Sequence, residues 1–257
     1  MIDYLLALST VTLAWWLSTG LVLLLNYRSR RTQCVAMGLV AGACLLSLLC
    51  LPAISRDQSA TGALLGFLSG LCIWAALEMS YLMGFVTGPR QAPCPPGVSL
   101  GRRFWLGLQT SLYHELLVLA AMLLSVGLSS GGNRVAAATC LALGLMRWSA
   151  KLNLFLGVRN YNQDWLPAHL AYLDSYTRRA RLNPLFPLSV SVATGLAVLL
   201  LLQGLGTGDP FQRSASLLIS ALLSLAALEH WFLILPFRES ALWRWAREDN
   251  GSALVER

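Results

Sequence analysis

Apolar runs long enough to cross a lipid bilayer recur along this chain, and no other feature limits its possible folds as much. An α-helix rises about 1.5 Å per residue, so roughly 20 apolar residues cover the hydrocarbon layer. In windows of about 19 residues, spans fall near 2–25, 33–52, 62–86, 104–128, 135–157, 186–205 and 214–236. Only 12% of the 257 residues are charged and 56% are hydrophobic, against roughly 25% charged in a soluble domain. The expectation is an all-α, polytopic bundle of seven transmembrane helices, forming one transmembrane domain over 1–257. The first run opens with acidic Asp3 and has neither a basic leader nor a small-residue cleavage site, so it reads as a retained helix.

The placement of basic residues predicts direction. Arg28, Arg30, Arg31, Arg90, Arg102, Arg103, the group from Arg159 to Arg181, and the tail arginines bring fourteen to one face. Arg56, Arg134 and Arg213 are the three on the other. Basic loops stay in the cytoplasm, which puts the N-terminus outside and the C-terminus inside. The net charge of +7 then belongs to loops facing anionic lipid, so the partner it implies is the bilayer and not nucleic acid.

Two segments outside the spans have an interfacial pattern. In the loop 159–184, Asp164 is a candidate helix N-cap, Leu166, Leu170, Leu173 and Tyr176 follow at helical spacing, and Arg178, Arg179 and Arg181 close it. In the tail 238–257, Leu242, Trp243 and Trp245 alternate with Arg244 and Arg247, as in an amphipathic segment at headgroup level. Within the spans, Gly62, Gly66 and Gly70 are spaced to admit a neighbouring backbone, and Gly38 and Gly42 repeat the pattern. The six cysteines form no Cys-x-x-Cys pair and read as small core residues.

Ionisable side chains inside a span are costly and are read first as functional. Here they are Glu78 in the third span, His114 and Glu115 in the fourth, Arg147 and Lys151 in the fifth, and Glu229 and His230 in the seventh; Asn153 is counted with them. With the predicted directions, the charged ones fall roughly seven to eleven positions from the cytoplasmic ends, a depth of about 10–17 Å. Arg147 and Lys151 are i, i+4 neighbours that repel one another, so Glu78, Glu115 and Glu229 are their expected counterions. Three readings fit this layer. It is a buried ion-pair network that sets helix rotation, a metal or pigment site with His114, His230, Glu78, Glu115 and Glu229 as ligands, or a route for protons or substrate. A di-iron site of the helix-bundle kind uses Glu-x-x-His, whereas His114-Glu115 and Glu229-His230 are adjacent and diverge by about 100°. No phosphate-binding loop, dinucleotide fingerprint, His-Glu-x-x-His or nucleophile elbow is present. His169, in a cytoplasmic loop, reads as a surface residue.

Several stretches carry a family likeness. Thr87-Gly88-Pro89-Arg90 with Pro93-Cys94-Pro95, Tyr113-His114-Glu115, Met146-Arg147, the run Lys151 to Asn160, and Leu228-Glu229-His230-Trp231-Phe232 resemble the PuhE family. The likeness extends from Trp15-Trp16 to the Leu242-Trp243-Arg244-Trp245 tail. These are photosynthetic complex assembly proteins, associated with the genes for the reaction-centre H subunit. The resemblance implies a bacterial inner, intracytoplasmic membrane and partners among reaction-centre or light-harvesting subunits and pigment-synthesis proteins. It also implies a role that touches bacteriochlorophyll supply or delivery. Bacteriochlorophyll, a precursor tetrapyrrole or iron are the cofactors such a role would bring. The alternatives are a membrane enzyme of pigment metabolism working through the Glu/His layer and a small proton-coupled transporter; the latter lacks the internal repeat expected of such folds.

The orientation has a direct check. A reporter active only outside the cytoplasm is expected to work when fused after Gly131 and to fail when fused after Arg257. The reverse pattern overturns the assigned direction.

Overall fold

The computed structural model describes residues 2–160, 166–235 and 242–247, so the expected Asp164 cap and the tail beyond 247 lie outside the described residues. The described residues are helical, with no strand among them; Val158 and Arg179 form a single isolated bridge. The long helices are α1 (Ile2–Asn26), α2 (Arg30–Ile54), α3 (Ala60–Leu82), α6 (Val135–Leu156), α7 (Leu185–Gly206) and α8 (Pro210–Phe232). Between α3 and α6 come α4 (Leu100–Gln109) and α5 (Leu112–Leu128), and a short α9 (Arg244–Arg247) follows α8. Among the described residues, six helices are long and apolar enough to cross a membrane, or seven if α4 and α5 count as one bent span. The chain is therefore a multi-pass membrane protein in contact with the lipid bilayer.

Local chemistry explains the boundaries. Ser29, Ser59 and Ser99 accept the free N–H groups at the starts of α2, α3 and α4, and Asp209 does so for α8, where Pro210 occupies the first turn. Gly157, at φ 126°, ends α6 in a conformation that side chains resist.

Helix α8 is the hub. In its most apolar stretch 67% of residues are buried, against 6% in α2. Leu217, Ala221, Leu222 and Leu225 of α8 pack with Phe67 of α3, Val11 of α1 and Ala197 of α7. Ser220 tightens the α7–α8 pair by donating to the Ala197 carbonyl at 2.7 Å. The outer surface carries Leu39, Leu46 and Leu49 on α2 and Leu188, Leu199 and Leu202 on α7, all exposed; such leucines are at home in lipid and not in water.

Four expectations change. The fourth span is not one helix over 104–128: it breaks at Thr110–Ser111, and α4 and α5 meet at 71°. The loop after α3 fills the break, with His114 N–H donating to the Thr87 carbonyl at 3.0 Å and Arg90 N–H to that of Gln109 at 3.3 Å. Gly88 lies so close that any Cβ there would strike the Gln109 and Thr110 backbone. Backbone at membrane depth requires such protein partners because lipid offers none.

The second change concerns the loop 159–184. It forms a 3-10 helix, Ala168–Tyr176, whose Leu170 is fully buried in the protein and whose Tyr176 hydroxyl donates to Ala92 O at 2.8 Å and accepts from Arg90 Nε at 2.7 Å. It caps the bundle and does not lie on lipid through that leucine face. His169 is largely exposed, as expected; the partial burial of its ring, and then nearby Arg30, hold its pKa below the ordinary value.

The third is the tail. Trp243 is 1% exposed, donates to the Trp16 carbonyl at 2.7 Å and meets Trp15 edge-on at 4.9 Å. Trp16 Nε1 donates to Leu242 O at 2.9 Å, and Trp245 covers Gly20, where a Cβ would strike its ring. This segment is thus a clasp on α1. The fourth change is in the small residues: Gly38 and Gly42 face open space, Cys34 and Cys50 are exposed, and only Cys140 among the cysteines is buried.

The other glycine series does pack. At Gly66 an added Cβ would lie 3.3 Å from Val135 Cβ, and at Gly70 it would lie 2.7 Å from Thr139 Cβ and 3.0 Å from Ala136 O. Gly70→Leu is expected to separate α3 from α6 at a cost of about 1–3 kcal/mol, read as a lower melting temperature in detergent. Gly38→Leu should leave it unchanged.

Candidate functional site

Helix α6 positions the site. Arg147, Trp148 and Lys151 project from it toward α3 and α5. Arg147 is ion-paired with Glu78 of α3, and Lys151 with Glu115 of α5. Trp148 Nε1 donates to the second Glu115 oxygen at 2.6 Å, and Lys151 Nζ to Ser111 Oγ at 3.2 Å. Tyr81 is shared by both cations, with the Arg147 guanidinium 5.1 Å and the Lys151 ammonium 4.9 Å from its ring centre. A cation over an aromatic face gains further in a dry site. His114 lies 4.7 Å from Tyr81, ring centre to ring centre, and is fully buried.

The helix break decides what Glu115 does. Expected deep in a continuous span, it lies instead in the first turn of α5, three residues after Leu112. A carboxylate is favoured at a helix start. Glu78 is four residues before Leu82, and Glu229 three before Phe232, nearer the helix ends than expected.

Not all predicted residues meet. Glu229 has no cation among the described residues; its Oε1 accepts from Trp15 Nε1 at 2.5 Å. His230 belongs to a separate polar strip. Its Nδ1 donates to Ala226 O and its Nε2 contacts Ser149 Oγ, both at 2.9 Å. Ser149 Oγ is 2.8 Å from Ser189 Oγ, and the Asn153 amide donates to Ser149 O at 2.9 Å and Ser189 Oγ at 3.1 Å. This strip joins α6, α7 and α8.

The ligand expectations meet geometry here. Both ring nitrogens of His114 lack a hydrogen-bond partner among the described residues; a ligand histidine needs one of them free, while its other N–H usually has an acceptor. The Tyr81 ring packs against His114, and neither the cleft at Asp3 and Arg213 nor the one at Arg90 and Gln109 borders it. His230 has both nitrogens occupied. Among the described residues, no three His, Cys, Asp or Glu side chains converge as a metal site.

Tyr81, Trp15, Trp148 and Ser111 escaped the sequence reading. Each is unremarkable in composition; only Trp15-Trp16 in an otherwise aliphatic span is a signal, since an indole N–H inside a membrane needs an acceptor.

The profile of a family described as "Protein of unknown function (DUF3623)" matches residues 1–253. The chain belongs to the DUF3623 family. It is similar to an "Uncharacterized 30.4 kDa protein in puhA 5'region" of Rhodobacter capsulatus, 36% identical over 274 residues covering 98% of this chain and 95% of the relative. No solved structure matches.

The pairing in this DUF3623 protein is open to a double-mutant test. Glu78→Leu and Arg147→Leu each leave a lone charge and are expected to cost about 3–5 kcal/mol. The double variant should recover much of that loss in detergent unfolding. Glu115→Leu combined with Arg147→Leu should recover less, because Glu115 is paired with Lys151.

Proposed function

We propose that the protein is a non-catalytic factor in the assembly of a bacterial photosynthetic complex, acting on reaction-centre or light-harvesting subunits within the membrane. The observation that carries this reading is the full-length relative whose description places it in the puhA 5' region. The PuhE-like stretches, in a family associated with the reaction-centre H-subunit genes, point the same way. The reading includes an inner, intracytoplasmic membrane location and seven crossings with the N-terminus outside.

Several groups of the polar layer are engaged within the bundle, which supports the assembly reading. Glu78, Glu115, Arg147 and Lys151 are consumed in two ion pairs, and both His230 nitrogens are hydrogen-bonded. These groups hold helices together. The large lipid-facing surfaces of α2 and α7 suit contact with the helices of other membrane subunits.

Deletion of the gene in a phototrophic host tests the reading. Near-infrared absorption of the membranes should show lowered reaction-centre and light-harvesting bands, with no bacteriochlorophyll precursor accumulating. Accumulation of a precursor would instead support the enzyme of pigment metabolism, and unchanged bands would refute both.

A further inference from the structure

A cleft of about 380 Å³ opens at the end of the bundle where α1, α3 and α8 begin, far along these helices from the ion-paired layer. That volume is within the range of small-molecule sites, roughly 300–1,000 Å³. Its walls are apolar: Leu6 on α1, Leu64 on α3, and Leu217 and Leu218 on α8. Its rim carries opposite charges. Arg213 Nη1 is 3.6 Å from Asp3 Oδ2, with the two side chains 43% and 57% exposed. Arg213 is held in place because its other terminal nitrogen donates to the Thr207 carbonyl at 2.9 Å.

We propose that this cleft binds one phospholipid whose headgroup joins a phosphate to a primary ammonium. The cleft accepts part of an acyl chain between α1, α3 and α8. At the rim, the phosphate takes the Arg213 guanidinium and the ammonium takes the Asp3 carboxylate. Both contacts are charge-assisted hydrogen bonds, and together they need a headgroup with both charges. An anionic glycerol headgroup satisfies Arg213 but leaves Asp3 facing like charge. A choline headgroup has the positive charge but no N–H to donate. A residue pair on a lipid-facing protein that merely neutralised itself would show no preference among the three.

The test uses the full-length protein in mild detergent, mixed with equal amounts of synthetic phosphatidylethanolamine, phosphatidylcholine and phosphatidylglycerol of the same acyl chains. Bound lipids are counted by native mass spectrometry. The protein is expected to retain phosphatidylethanolamine about fivefold over each competitor. Asp3→Asn removes the ammonium partner and should turn the preference to phosphatidylglycerol. Arg213→Gln should abolish selectivity, and Leu64→Trp, which fills the cleft, should reduce retention of all three. Equal retention of the three lipids by the unaltered protein overturns the proposal. So does an Asp3→Asn variant that still favours phosphatidylethanolamine.

Discussion

Two positive charges one turn apart on α6 organise the bundle around them. A lone charge in a membrane interior costs several kcal/mol, so Arg147 and Lys151 must each find an anion. Arg147 therefore takes Glu78 from α3 and Lys151 takes Glu115 from α5. That division sets the rotation of three helices at once. It also accounts for Gly70, since α3 must approach α6 closely enough for Glu78 to reach across, and Thr139 occupies the space that a side chain at Gly70 would need.

The same helix is fixed at its two ends by asparagines. Before α6, the Asn133 amide donates to Gly62 O at 2.8 Å and Asp57 O at 3.0 Å, while its oxygen accepts the Val135 N–H at 3.1 Å. After α6, the Asn183 amide donates to Gly157 O at 2.8 Å and its oxygen accepts from Leu185 and Phe186 at the start of α7. Carbonyls and amides freed at helix ends in a membrane protein have few other partners. With both ends anchored, the height of α6 is set independently of its charges, and the ion pairs then select rotation.

Hydropathy made the long helices legible, because bilayer thickness imposes a length on every span. Charge cost made the layer legible too, and Glu78, Glu115, Arg147 and Lys151 do come together. What the pattern concealed has a physical reason in each case. The break at Thr110–Ser111 lies in a run whose average hydropathy is unchanged by it, and the backbone of Thr87 to Arg90 that supports it comes from a loop distant in sequence. Leu170 and Trp243 have the spacing of interfacial anchors, but periodicity shows only that one face avoids water, not whether lipid or protein covers it. Glu229 was assigned to a cation by charge alone; an indole N–H offers a carboxylate a neutral donor, and net charge carries no trace of that.

The clasp on α1 has a consequence for the order in which the molecule is built. The face of α1 around Gly20 is closed by Trp243 and Trp245, and the Trp243 to Trp16 hydrogen bond spans 227 positions of sequence. Chains enter a membrane from their N-terminal side during synthesis, so α1 arrives among the first elements and the residues that cover it arrive after α2 to α8. Throughout that interval the groove at Gly20 faces lipid or another protein. Closure of the clasp is therefore a late event that joins the earliest helix to the segment after α8. Until it happens, the Gly20 face of α1 stays open to other neighbours.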